Sequence, residues 1–205
     1  MVAVIAILVT LMTAGVSLLN GTGAQSRRAG TDMMAGLIEQ ARTKAITSRS
    51  YVILAIAEPG DLPAGDERCR IGLFRIEGSE APTSLDNINA VLLNRWQLLN
   101  TGVVLIPGSV PVDDGDDDLE NPLDLPQATI NYGAAKNLSV QVHAIAFNPR
   151  GGRHFPFGPD PIALRIAEGN YRGGTATPYE RGTQKSITEN RLRIGRVNAR
   201  PYRLD

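Results

Sequence analysis

The first twenty residues, MVAVIAILVTLMTAGVSLLN, carry no charge, and the next positions switch to a different periodicity. Twenty helical residues at ~1.5 Å rise span roughly 30 Å, about the hydrocarbon thickness of a bilayer. From residue 21 the apolar positions thin out to Met34, Leu37, Ile38, Ala41 and Ala45, spaced three and four apart. That spacing puts them on one stripe of a helix and leaves Arg28, Asp32, Glu39, Arg42 and Lys44 mostly elsewhere. The pattern predicts one helix of about 45 residues, apolar all round in its first half and on one side in its second. The first half needs lipid or other helices; the second half needs a sheet. Val2, Val4, Ile5, Ile7, Leu8, Val9, Leu11, Val16 and Leu18 are the expected membrane-anchor or helix-bundle residues. A cleaved signal peptide fits less well, because nothing basic precedes the apolar run. Arg27 and Arg28, just past the run, run against the export expected below on the positive-inside rule.

Downstream the period shortens. YVILAIA (51–57) is a continuous β-branched run, and RIGLFRIE (70–77) alternates in part. Residues 90–99, 102–106, 139–147 and 162–167 read as further strands, and 191–204 as a half-buried strand or hairpin of alternating basic and apolar residues. Pro-, Gly- and Asp-rich connectors separate them at 58–68, 107–126, 148–161 and 168–190. No βαβ alternation appears, so the expected fold class is α+β: a long N-terminal helix packed on a mainly antiparallel sheet. The expected parts are 1–20, a membrane or filament-core half-helix; 21–50, the amphipathic half; and 51–205, a β-rich domain with a variable region at 58–138.

Composition narrows the function. Lys+Arg and Asp+Glu both number 21, so no global field draws the chain to a polyanion. One cysteine excludes an intramolecular disulfide framework. Cys69, His143 and His154 read as structural residues. The glycine-rich stretches RGGR (150–153) and YRGGT (171–175) do not open a helix and read as turns. The acidic run at 113–120 invites calcium, which takes six to eight oxygens. Its spacing does not match an EF-hand loop. Asp113, Asp114, Asp116, Asp117 and Asp118 are therefore read as a solvated loop and kept only as weak metal candidates. No metal site, cofactor or catalytic motif is expected.

Three stretches resemble the type IV pilin-like proteins, specifically minor pseudopilins of the GspH/FimT type. The apolar start is similar to the family's half-helix. Ala41-Arg42 ahead of Ala45-Ile46 resembles its helix end, and Phe147, Pro149 and Gly151 resemble its Phe-x-Pro-x-Gly turn, followed by the closing strands. The family's leader, cleavage-site glycine, mature phenylalanine and nearby glutamate are not in this sequence, and a start upstream of Met1 is expected. The resemblance implies a non-enzymatic assembly subunit of a type II secretion or type IV pilus system. It implies a single-pass inner-membrane protein with a periplasmic domain, entering a filament. Its implied partners are other pilins through the N-terminal helix, the inner membrane, and a secreted protein through the loops; nucleic acid is not expected. The alternative from another class is a periplasmic ligand-binding or enzymatic domain tethered by a signal anchor.

Overall fold

All six residues of strand β1 (Val52–Ala57) are buried. Side chains alternate across a strand, so β1 must be covered on both faces. Ile53, Ala55 and Ala57 point into one apolar core, and Val52, Leu54 and Ile56 into another. The architecture follows from these two cores. The structure, a computed structural model, describes residues 2–61, 67–78, 80–110, 119–133, 137–182 and 186–204, with side chains from residue 23 onward.

The first core is the inside of a closed barrel. β1 pairs antiparallel with β2 (Arg70–Ile76) on one edge and β7 (Leu138–Phe147) on the other. β2 pairs with β3 (Ile88–Leu92), and β7 with β6 (Ala128–Tyr132). A short parallel pairing of β3 with β6, Ile88 opposite Ile130 and Asn89 opposite Asn131, completes the circuit. Closure removes the open edges that a five-stranded sheet would otherwise present. Phe74 fills the interior, meeting Trp96 and Tyr132 edge-on at 5.4 and 5.3 Å between ring centres. The short strands β4 (Gln97–Leu98) and β8 (Arg153–Phe155) attach to β2 and β7. The chain between β3 and β4 leaves the ladder, and the Leu73 N–H donates instead to Asn94 Oδ1.

The second core lies between the barrel's outer face, a second sheet and helix α1 (Val2–Ser48). That sheet has the order β10 (Thr175–Pro178), β9 (Ile162–Arg172), β13 (Glu189–Ile194), β14 (Pro201–Leu204), with β5 (Val103–Ile106) also on β9. β11 (Glu180–Arg181) and β12 (Ser186–Ile187) form a small separate ladder. Met34, Leu37, Ile38, Ala41 and Ala45 are buried in this core. The helix ends at Ser48, Arg49 takes a left-handed conformation at φ 50°, and the chain turns into β1.

Three expectations are corrected. The fold is not a long helix packed on an antiparallel sheet. The helical packing element among described side chains is the short stretch 23–48, and the body is mostly β, with a closed five-stranded barrel. The physical reason is that the apolar runs are apolar on both faces, and their second face is covered by the core inside the barrel. Second, no helix among the described residues is long and apolar enough to cross a membrane. The stretch 23–48 carries Arg27, Arg28, Asp32, Glu39, Arg42 and Lys44, too many charges for a span. Third, a single-pass inner-membrane location and the description as a membrane pseudopilin are therefore unsupported. The anchor residues Val2, Val4, Ile5, Ile7, Leu8, Val9, Leu11, Val16 and Leu18 lie outside the residues whose side chains are described.

Candidate functional site: the helix seam and its two clamps

An apolar stripe alone lets a helix slide along its own axis, because dispersion and burial are not directional. Polar contacts at both ends of the stretch 23–48 set the register here. At the N-terminal end, Arg27 Nη1 donates to Glu168 Oε1 on β9 at 2.8 Å, and Arg181 Nη2 donates to Oε2 of the same carboxylate at 2.6 Å. Arg27 Nε donates to Asn190 Oδ1 at 3.2 Å, and Asn190 Nδ2 donates to the Thr31 hydroxyl at 3.0 Å. Thr31 in turn donates to the Arg27 carbonyl one turn back. The ring of contacts leaves neither carboxylate oxygen of Glu168 unpaired, which is what a buried charge requires. Gly23 is part of this fit: a Cβ there would stand 2.5 Å from Glu168 Oε2.

At the C-terminal end, Arg42 Nε donates to the carbonyls of Gly151 at 3.2 Å and Asn198 at 2.7 Å, and its Nη1 lies 3.4 Å from Glu39 Oε2. Gly151 sits in the turn after β7 with φ +82°, a conformation that favours glycine. A Cβ there would meet Ile46 Cδ1 at 2.7 Å, so the turn can approach the helix only without a side chain. Asn148 holds the turn by accepting from the Arg150 and Gly152 amides on its side-chain oxygen. Arg203 on β14 also donates to Asp32 on the exposed side of the helix.

The remaining sequence candidates fall elsewhere. Asp113, Asp114, Asp116, Asp117 and Asp118 lie outside the described residues. Their preceding flank is tied down: Arg165 Nη1 donates to the carbonyls of Pro107 and Val110, while its Nε contacts Glu189. Among the described residues, no group of three or more His, Cys, Asp or Glu is arranged to hold a metal. His143 is buried on β7 with Nε2 3.8 Å from a Glu58 carboxylate oxygen. His154 Nε2 lies 2.8 Å from the Pro82 carbonyl, and its ring packs on Tyr51 and Phe157. Cys69 is a buried free thiol. Burial raises its pKa above the usual thiol range, despite a hydrogen bond with Tyr171, whose phenol is raised for the same reason.

The seam residues missed by pattern reading are Arg27, Glu168, Arg181 and Asn190. One signal was available. Glu168 closes a run of strand residues, IALRIAEG, that is buried throughout, and a carboxylate there implies a cation brought from elsewhere. Which cation could not be read, because Arg27 is 141 positions away.

No family model, curated protein or solved structure matches this chain.

Proposed function

We propose that the chain is a non-enzymatic structural subunit of a type II secretion or type IV pilus assembly, of the kind its resemblance to GspH/FimT proteins implies. One observation carries the reading. The two stretches on which that resemblance rests most specifically, Ala41–Ile46 and Phe147–Gly151, are far apart in sequence and meet at one clamp, Arg42 to the Gly151 carbonyl with Ile46 over the missing Cβ. The two stretches that carry the resemblance thus act in the fold as one structural device.

The seam suits such a role mechanically. The apolar stripe and two polar clamps hold helix 23–48 to the body as one unit, so force or register on the helix is passed to the β domain. The opposite helix surface presents Gln25, Arg28, Asp32, Gln40 and Lys44 to solvent. On this reading its partners are other subunits of the same machine, met through the helix, and a protein cargo met through the loops.

The test is deletion of the gene in its own host, with pilus assembly and secretion of exported enzymes measured, and complementation by the intact chain. Loss of either, restored by the chain, is expected. Wild-type levels of both in the deletion strain overturn the reading.

A further inference from the structure

A recess of about 540 Å³ opens between the turn after β7, the segment following β8 and the loop joining β13 to β14. Arg150, Arg153, His154, Phe157, Arg196 and Val197 line it, and no carboxylate does. We propose that this recess binds carboxylates of an acidic polypeptide segment, two or more adjacent Asp or Glu residues of a partner protein. The proposal goes beyond the assembly reading and does not depend on it.

The walls are built in advance. The Arg153 amide donates to the Arg196 carbonyl at 2.8 Å, and a Cβ on Gly152 would stand 2.8 Å from the Val197 carbonyl oxygen. The two walls are therefore in direct contact and need no rearrangement to form the recess. Arg153 is a fixed cation at its base. It is buried, and its Nη2 donates to the carbonyls of Gly158 and Asp160 at 3.2 and 2.5 Å. Its Nε and Nη1 are buried from solvent and have no hydrogen-bond partner among the described residues. Burial and the charge of Arg196 push the Arg153 pKa down, while Glu120 and Asp160 act the other way. The net effect is downward, and a bound anion would oppose it.

Arg150 and Arg196 are exposed at the mouth, and among the described residues neither has a carboxylate partner. Guanidinium groups bind carboxylates through short, charge-assisted hydrogen bonds. Val197 is 88% exposed and Phe157 51%, an apolar rim suited to the methylenes of Glu and to a neighbouring apolar residue. The shape favours carboxylates over a nucleic-acid backbone. Phosphate tracking calls for a basic stripe, whereas these cations are confined to one recess and the chain has no net charge.

The test uses the full chain and a fluorescein-labelled hexaglutamate peptide, with anisotropy read at low ionic strength. The intact protein should bind it saturably. The double variant Arg150→Ala/Arg196→Ala, altered only at exposed side chains and checked for an unchanged melting temperature, should bind about tenfold more weakly or worse. Arg172→Ala, an exposed arginine outside the recess, should bind as the parent does. Unlabelled hexaglutamate should displace the probe at lower concentration than a six-nucleotide oligodeoxynucleotide. No saturable binding, equal loss in Arg172→Ala, or an unweakened double variant overturns the proposal. Displacement by the oligonucleotide at the lower concentration does so too, and assigns the recess to phosphate.

Discussion

Arg42 on helix α1 and Gly151 in the turn after β7 stand 109 positions apart and are joined by a hydrogen bond of 3.2 Å. The contact exists only because Gly151 has no side chain. A methyl group would collide with Ile46 on the same helix turn, and the residue's φ of +82° disfavours any L side chain. Gly151→Ala should therefore lower unfolding free energy by about 2 kcal/mol or more, combining backbone strain with overpacking. Arg42→Ala should cost less, about 1–2 kcal/mol, because the two carbonyls it leaves are partly open to water. Urea unfolding of both variants checks the order; Arg42→Ala proving the costlier change would contradict this account of the clamp.

The stripe residues face both the barrel's outer surface and the second sheet. Ile38→Ala leaves a cavity in that shared core and should cost about 2–5 kcal/mol. Leu37→Asp places a carboxylate among apolar side chains without a partner, and should abolish cooperative thermal unfolding at neutral pH. An unchanged melting profile for Leu37→Asp would show that the helix does not rest on this core.

Glu168 answers two arginines, one from the helix and one from β11. Glu168→Gln removes the charge and leaves Arg27 half-buried beside a neutral amide. Because Arg181 is half exposed, it recovers water and contributes little, so the expected cost is about 2 kcal/mol, mostly from Arg27. In Arg27→Ala the same carboxylate keeps Arg181, and the loss should be smaller. Denaturant titration of the two single variants tests that order.

Cys69 should be inert in the folded chain. Its thiol is buried and its pKa is raised, so both access and thiolate fraction are low. Labelling by an aromatic disulfide reagent at mildly alkaline pH should be negligible in native protein and complete, at one thiol per chain, in guanidinium. Rapid native labelling would mean that the loop beside β2 opens readily.

Asp61 carries the opposite pH signature to a salt-bridged carboxylate. Burial raises its pKa above the model-peptide value of 3.8, against the hydrogen bond it accepts from the Glu58 amide. The folded chain then holds this proton at pH values where the unfolded chain has lost it. Its contribution is complete below 3.8 and is lost as pH rises through the higher folded value. Asp61→Asn should remove that decline, so the stability difference between variant and parent should move in favour of the variant from pH 3.5 to pH 6. Parallel pH–stability curves would assign the decline to other groups.

Local spacing alone marked what each segment would bury. Runs such as 52–57 and 103–106 are apolar because strands need covered faces, and Met34, Leu37, Ile38, Ala41 and Ala45 share one side because a helix turns every 3.6 residues. These are properties of neighbouring residues, so they are present in the linear chain. The tertiary structure decided what covers each face. Barrel closure rests on two residue pairs between β3 and β6, some forty positions apart, and nothing in either strand names the other. The missed strands β6, β8, β10, β11 and β12 run two to five residues, the last three inside a stretch read as a connector, and pairing partners define them more than composition does. The same holds for the clamps. Arg27 and Glu168, or Arg42 and Gly151, are ordinary residues in sequence and become a seam only when folding removes the water between them. The N-terminal helix expected to lie on an antiparallel sheet packs over 23–48 between a barrel and a second sheet for the same reason: periodicity specifies a face, and only the assembled strands specify its neighbour.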